Sequence, residues 1–171
     1  MENKGENPIF IFDLDGTTVD SRHRTTMPFS LDYWNENATR ENILKDVLMP
    51  LSKQMVKLIG FGYEVVICTA RTLSNYDYEY LYDVIGLPND IKIISRAEED
   101  TRENHIYKKS NLQYLVNLKP YKDRQKILID DEYLNRITFS SMGETCSAWD
   151  IFQAERFFNY FGQLSHNHFG E

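Results

Sequence analysis

The sequence has few of the residues that mark fibrous, linker-like or disulfide-stapled proteins. Only 8 of its 171 residues are glycine and only 5 are proline, which excludes a collagen-like or low-complexity chain. The two cysteines, Cys68 and Cys146, could form one disulfide at most. Because each lies in an apolar, strand-like segment, we expect two buried free thiols in a reducing compartment instead.

Long apolar runs are also missing. The longest, such as residues 9–12 and 65–68, are far too short to cross a bilayer. The first five residues contain no apolar stretch behind a basic start, so no secretory signal is expected. These features predict a cytoplasmic protein with no membrane partner.

The charge balance is acidic, with 19 Lys and Arg against 26 Asp and Glu. A net charge of −7 argues against broad coating of nucleic acid or anionic membrane, although it is compatible with one small basic pocket for a phosphate. A length of 171 residues with 42% apolar content predicts one domain that can bury its own core. We expect that domain to span residues 1–171, with a core at about 8–162 and flexible ends.

Short apolar segments alternate with helical patterns along the chain. The predicted strands are residues 9–12, 63–69, 91–94, 126–129 and 145–149, of which 91–94 and 145–149 are expected nearer the sheet edges. The predicted helices are residues 49–59, 75–85, 106–118, 132–142 and 151–161. This alternation predicts an α/β fold in which helices cover both faces of a central, mainly parallel sheet.

Polar residues follow three of these strands. The residues are Asp13-Leu14-Asp15-Gly16-Thr17 after the first strand, Thr69-Ala70-Arg71 after the second and Asp130-Asp131 after the third. The carboxyl ends of parallel strands open on one crevice, so these groups are expected to converge. Four carboxylates that lie together raise each other's pKa values unless a cation neutralises them, and oxygen ligands of this kind suit Mg²⁺. Each piece alone is a common turn or helix cap, but the three together predict a magnesium site.

The stretch IFIFDLDGTTVD at residues 9–20 resembles the first motif of the haloacid dehalogenase (HAD) superfamily of phosphotransferases. Three further motifs of that family are matched in order: a strand ending at Thr69, a lysine ahead of or within a helix at Lys108 or Lys109, and the pair Asp130-Asp131. The resemblance covers roughly residues 9–150. It implies a three-layer α/β/α Rossmann-like HAD fold with a minimal cap, in which residues 21–42 form a short flap.

The resemblance also implies catalytic roles. Asp13 would attack phosphorus and form an aspartyl-phosphate. Asp15 would protonate the leaving oxygen and then deprotonate the attacking water. Mg²⁺ would be held by Asp13, the carbonyl of Asp15, and Asp130 with Asp131 behind it.

The same resemblance assigns groups to the phosphate. Thr69 and Lys108 would hold its non-bridging oxygens. Gly16 would let the backbone approach the ligand closely and offer its amide as a donor. Arg24 and Arg71 would bind the scissile or a neighbouring phosphate. The alternative for Arg71 is an ion pair with a nearby carboxylate such as Asp83 or Asp131.

Finer features are similar to the 3′-phosphatase domain of the phage polynucleotide kinase-phosphatases. They are Arg24 eleven residues after Asp13, Arg71 after the second motif, SRAEEDTRENHIYKK at residues 95–109 and LIDDEYLNRI at residues 128–137. This alignment places Lys108, rather than Lys109, in the third motif. Asn104 stands where that family has an acidic residue.

These features predict an Mg²⁺-dependent phosphomonoesterase that removes 3′-phosphates from nucleic-acid ends, in the host cytoplasm if the source is viral. Its partner would be a phosphorylated nucleic-acid end or a nucleotide. One alternative is a nucleotide or other small-molecule phosphatase, and another is a non-catalytic, receiver-like module phosphorylated on Asp13. The tyrosines of residues 76–82 would either stack on a base, or cover the sheet edge or form a dimer contact, and Trp34 has the same alternatives.

Overall fold

A computed structural model describes residues 7–152 of the chain. Within that range the strands are β1 (Ile9–Phe12), β2 (Val19–Asp20), β3 (Val47–Leu48), β4 (Glu64–Cys68), β5 (Lys92–Ile94), β6 (Lys126–Asp130) and β7 (Glu144–Ser147). The α-helices are α1 (Leu31–Glu36), α2 (Arg40–Ile43), α3 (Pro50–Gly60), α4 (Asn75–Glu79), α5 (Asn104–Asn117), α6 (Tyr133–Phe139) and α7 (Ala148–Phe152).

The larger sheet has five strands in the order β5-β4-β1-β6-β7, and every neighbouring pair is parallel. The predicted parallel sheet is therefore confirmed, and its two weaker strands do lie at the edges. β1 occupies the centre because all four of its residues are buried and apolar, as a strand covered on both faces requires.

Alternate residues of β1 enter two separate hydrophobic cores. Phe10 and Phe12 belong to the core beneath α3, which contributes Met55. Ile9 and Ile11 belong to the core formed with α5 and α6 on the opposite face. Helices thus cover both faces of the sheet, which confirms the three-layer α/β/α architecture.

Four of the five predicted helices are confirmed in place, as α3, α4, α5 and α6. The pattern over residues 75–85 does not continue as one regular helix: α4 ends at Glu79, and a wider π-helical turn follows over Tyr80–Val84. The Tyr80 hydroxyl, at the beginning of this turn, donates to the carbonyl of Asp46 over 2.6 Å. Most of the helix predicted at 151–161, and the predicted flexible ends apart from residue 7, lie outside the described residues, so the single-domain expectation stays a prediction.

Residues 19–48 form a small cap between β1 and α3. Its base is the antiparallel pair β2–β3, and between these strands lie a 3₁₀ turn (Arg22–Arg24), α1 and α2. The short flap predicted at residues 21–42 is the helical part of this cap. An ion pair between Arg40 of α2 and Glu79 of α4 joins the outer side of the cap to the core.

Two other features bear on the predictions. Both cysteines are free as predicted, but only Cys68 is buried, whereas Cys146 is half-buried. Desolvation raises the pKa of Cys68 to about 12 and that of Cys146 to about 11, so neither is a thiolate at neutral pH. Among the described residues, no helix combines the length and the apolar character that a membrane crossing needs.

Candidate active site

The register of the central strands brings Asp13 beside Asp130. Phe12 of β1 pairs with Ile129 of β6, and the Asp13 amide donates to the Ile129 carbonyl over 3.0 Å. Asp13, which follows β1, and Asp130, which is the last residue of β6, must therefore be neighbours at the carboxyl edge of the sheet. This is where the sequence pattern placed a crevice, and both aspartates are buried there.

Lys108 joins these two carboxylates. Its Nζ lies 2.6 Å from Oδ1 of Asp13 and 2.7 Å from Oδ2 of Asp130. The lysine is buried on the inner face of α5, whereas Lys109 is exposed. Burial opposes a charge on Lys108, but the two carboxylates hold its pKa above the ordinary value. The structure thus places Lys108, and not Lys109, in the site as an ammonium ion.

Asp131 completes a cluster of three carboxylates. One oxygen from each of Asp13, Asp130 and Asp131 lies within 4.8 Å of the others. Burial, with the neighbouring carboxylates, raises the pKa of Asp13 well above its ordinary value against the opposing effect of Lys108. Burial and Asp130 likewise raise the pKa of Asp131 to about 6. A single lysine leaves this cluster short of positive charge, so the residues present fit a hard divalent cation.

Gly16 lies directly against Asp131. Its backbone has a φ of +78°, and a Cβ built on it would lie 2.3 Å from Oδ2 of Asp131. Only glycine allows this approach without strain. The Gly16 amide donates to the carbonyl of Val19 over 2.9 Å, so it is already used within the turn. Contact between Gly16 and a substrate stays a prediction.

Three residues that the sequence reasoning did not assign support the acidic cluster. The Thr17 hydroxyl lies 3.4 Å from both Asp13 and Asp131 and accepts a hydrogen bond from the Asp131 amide over 3.0 Å. Asn135 donates to both carboxylate oxygens of Asp130, and Arg136 donates to the carbonyls of Asp130 and Asp131. The threonine was visible in the D-x-D-G-T motif, and the other two lie within the quoted fourth-motif segment.

Asp15 points away from the acidic cluster and towards Arg71. Arg71 donates to Asp15 through Nε over 3.1 Å and through Nη2, and Ser21 donates to the same carboxylate. Burial raises the pKa of Asp15, but the guanidinium and these hydrogen bonds outweigh it, so the net shift is downward. Asp15 is therefore ionised at neutral pH.

The ion pairs of Arg71 differ from those expected. Its partners are Asp15, Asp46 and Asp77 rather than Asp83 or Asp131, because its guanidinium faces the cap and the beginning of α4.

Arg24 is also buried, with Nε and Nη2 each 2.9 Å from the Asp46 carboxylate. Trp34 lies against both arginines, its ring centroid 4.1 Å from Cζ of Arg24 and 5.3 Å from Cζ of Arg71. Binding of a substrate phosphate by Arg24 and Arg71 stays a prediction.

Thr69 directly follows β4 at the same edge of the sheet. It is buried, and its hydroxyl accepts a hydrogen bond from the Arg71 amide over 3.0 Å. Arg96 supports this loop by donating to the Ala70 carbonyl over 2.8 Å, and it also donates to Asn104 at the beginning of α5. Asn104, which occupies the acidic position of the resembled family, donates in turn to the carboxylate of Glu132.

The four tyrosines of residues 76–82 lie in different environments. Tyr78 and Tyr82 stack with ring centroids 6.0 Å apart and pack against the core. Tyr80 is buried under the cap, and Tyr76 is exposed. Three of the four thus pack within or against the apolar core, and base stacking or a dimer contact by these tyrosines stays a prediction.

Comparison with known proteins adds a family and a fold. The family described as bacteriophage T5 5′-deoxynucleotidase matches residues 1–133. The 5′-deoxynucleotidase of Escherichia phage T5 is 38% identical over 81 residues, a match that covers 43% of this chain and 33% of that protein. The chain therefore spans about a third of the length of this curated relative.

Two solved structures share the architecture. A chain of the Pnkp1/Rnl/Hen1 RNA repair complex gives a TM-score of 0.58 at 17% identity, covering 86% of this chain and 44% of that one. A haloacid dehalogenase-like hydrolase from Streptococcus pneumoniae gives a TM-score of 0.54 at 14% identity, covering 87% of this chain and 98% of that one. Identities this low establish fold alone, and the fold is the HAD-like one that the motifs implied.

Proposed function

Because the chain belongs to the bacteriophage T5 5′-deoxynucleotidase family, we propose that it is a phosphomonoesterase that removes the 5′-phosphate of deoxynucleoside monophosphates. The observation that carries this proposal is the contact of Lys108 with Asp13 and Asp130, beside Asp131. It combines a nucleophilic carboxylate, a cation for phosphate oxygens and an acidic cluster in one buried crevice.

In the proposed reaction the Asp13 carboxylate attacks phosphorus and the P–O bond to the nucleoside breaks. The leaving oxygen takes a proton from Asp15, and the aspartyl-phosphate is then hydrolysed by water that Asp15 deprotonates. The ion pair with Arg71 favours ionised Asp15 and so suits the second step. The proton for the first step must therefore be taken up as substrate binds.

Lys108 and Thr69 are the proposed ligands of the non-bridging phosphate oxygens. Lys108 already lies beside the proposed nucleophile, and Thr69 directly follows the neighbouring strand β4. Mg²⁺ bound by Asp13, Asp130, Asp131 and the carbonyl of Asp15 would reduce the repulsion between the nucleophile and the phosphate. The need for a cation is supported by the raised pKa values of Asp13 and Asp131.

A second candidate substrate is the 3′-phosphate of a nucleic-acid end. The similarity of residues 95–109 and 128–137 to phage 3′-phosphatases favours it, as does the fold shared with a chain of an RNA repair complex. The small cap is compatible with a bulky substrate. We place the activity in the cytoplasm, which is a host cytoplasm if the source is viral, because the curated relative comes from a phage.

Phosphate release distinguishes the two substrates. We expect 5′-deoxynucleotides to give a higher kcat/KM than 3′-phosphorylated oligonucleotides in the presence of Mg²⁺. Higher turnover of the oligonucleotides would establish the second candidate, and no release from any phosphomonoester would overturn the phosphatase proposal. Asp13→Asn should lower turnover by several orders of magnitude. Asp123→Asn makes the same change at an exposed carboxylate and should leave turnover unchanged.

The receiver-like alternative predicts a different response at Asp15. A receiver needs only its phospho-acceptor, so Asp15→Asn would leave its behaviour unchanged. A phosphatase needs the proton donor, so the same variant should lose turnover and keep its fold and metal binding. Unchanged hydrolysis by Asp15→Asn would remove the assignment of Asp15 as acid and base.

A further inference from the structure

Two acidic residues with no assigned role hold Arg71 in place. The Arg71 Nη1 lies 2.7 Å from Oδ1 of Asp77, and its Nη2 lies 3.2 Å from Oδ2 of Asp46. Nε and Nη2 of the same guanidinium donate to the Asp15 carboxylate. A guanidinium is planar and rigid. The two carboxylates that hold it through Nη1 and Nη2 therefore also fix the direction in which it meets Asp15.

Asp77 is itself held by the beginning of α4. Its second oxygen accepts hydrogen bonds from the Ser74 amide over 2.8 Å and the Ser74 hydroxyl over 2.7 Å, in a reciprocal capping box. The side chain is therefore fixed by two donors before it meets Arg71. Asp77 is also buried, so water does not compete for these contacts.

Asp46 lies in the cap and connects the cap to Arg71. Its carboxylate accepts two hydrogen bonds from Arg24, and its carbonyl accepts one from Tyr80. Trp34 of α1 lies over both arginines and closes this group from the cap side. The cap is thus linked to Asp15 through Asp46 and Arg71.

We propose that Asp46 and Asp77 are positioning residues, which orient the Asp15 carboxylate through Arg71 so that it can exchange a proton with the leaving oxygen. This inference rests on the proposed phosphatase activity. Neither residue contacts the acidic cluster, so nucleophilic attack by Asp13 should be little affected. Any loss of phosphate binding through Arg24 or Arg71 should lower the rates for all phosphomonoesters alike, whereas a loss of proton transfer should depend on the leaving group.

The leaving group provides a direct readout of that effect. An alkoxide, such as the 5′-oxygen of a deoxynucleoside, leaves only when it is protonated, whereas p-nitrophenolate is a stable anion that leaves without a proton. A misplaced Asp15 therefore slows hydrolysis of a deoxynucleotide much more than hydrolysis of p-nitrophenyl phosphate. A purely structural defect lowers both rates together.

The test compares kcat/KM for dTMP and for p-nitrophenyl phosphate in Asp77→Asn and Asp46→Asn. We expect the ratio of the two values to fall by about tenfold or more in each variant, within the range that general acid catalysis contributes. Asp77→Asn is the safer variant because Asn keeps an oxygen for Ser74. Asp15→Asn gives the largest ratio change that loss of the acid can produce.

Glu79→Gln is the matched control. It weakens the exposed contact between cap and core at Arg40 without touching Arg71, so its ratio should equal that of the wild type. Unchanged ratios in folded Asp77→Asn would overturn the positioning role, whether the two rates fall together or remain normal. If the wild type hydrolyses neither substrate, it is the proposed function that fails, and this outcome is distinguished by the wild-type measurement alone.

Discussion

The Nζ atom of Lys108 lies 2.6 Å from Oδ1 of Asp13, although 95 positions separate the two residues in the sequence. The contact joins the end of the central strand to the inner face of α5. It places a fixed positive charge at the proposed nucleophile, where a phosphate would otherwise be repelled by three carboxylates. The predictions below test this arrangement and its surroundings.

Lys108→Ala should reduce kcat/KM by about 10²- to 10³-fold, the usual loss for a charge-stabilising donor. Its ammonium group contacts both Asp13 and Asp130, so the variant removes the positive charge beside the proposed nucleophile. Lys109→Ala is the matched control, because the neighbouring side chain is exposed. A larger loss in Lys109→Ala than in Lys108→Ala would contradict the register of the third motif.

Gly16→Ala should weaken metal binding and activity, because its Cβ would force the Asp131 carboxylate out of place. The positive φ adds a backbone penalty of about 1–2 kcal/mol to the free energy of folding. Gly62→Ala is the control: Gly62 has a φ of +83° but no atom within 4 Å of the new Cβ. Both variants should lose stability in equilibrium unfolding, but only Gly16→Ala should lose Mg²⁺ affinity by titration calorimetry.

Mg²⁺ affinity should fall as the pH is lowered through about 6, because the metal competes with a proton on Asp131. Above that pH Asp131 is ionised and its contribution is constant. Below it, the apparent affinity should fall by up to about tenfold per pH unit for each carboxyl that must release a proton. Calorimetric titrations between about pH 5 and about pH 8 measure the Mg²⁺ affinity over this range. Asp131→Asn should remove the fall in affinity near pH 6. An affinity that stays level across the range would contradict the prediction.

Asp46→Ala should lower the free energy of unfolding by about 3–5 kcal/mol, because it removes the one carboxylate that buried Arg24 hydrogen-bonds among the described residues and leaves it only the longer contact of 4.0 Å to Asp77. The double variant Arg24→Met/Asp46→Leu should recover most of this loss, since no unpaired charge remains. Chemical denaturation of the single and double variants measures both effects. A double variant no more stable than Asp46→Ala would show that packing, rather than the buried charge, sets the cost.

Much of the site was predictable because strand ends follow from local pattern. The apolar residues of Ile9–Phe12 and of residues 127–129 are each followed by an aspartate, and parallel neighbours must present such residues at one edge. The resemblance to the HAD motifs narrowed the third-motif lysine to Lys108 or Lys109, and the finer alignment favoured Lys108, which the structure buries beside Asp13. The convergence of the strand ends needed only the sheet and the direction of its strands, whereas the lysine needed the resemblance.

The surroundings of Asp15 could not be predicted in the same way. Asp46 is an isolated acidic residue of the cap, and Asp77 lies in the first turn of α4. No sequence periodicity relates either residue to Arg71, although both form ion pairs with it. Such carboxylates are ordinarily solvated, and only the docking of the cap buries Asp46. The π-helical turn after Glu79 was likewise invisible, because tertiary contacts such as that of Tyr80 accompany the change of helical pitch.

The central place of β1 has a consequence for synthesis. A ribosome delivers this strand well before its neighbour β6, which is made, with Asp131 after it, only when residues 126–131 are translated. A nascent chain shorter than this holds β1 with the side that pairs with β6 open, and without the complete acidic cluster. Any truncation before residue 131 should therefore yield an inert fragment, so that chemistry begins only when the second half of the sheet closes against the first.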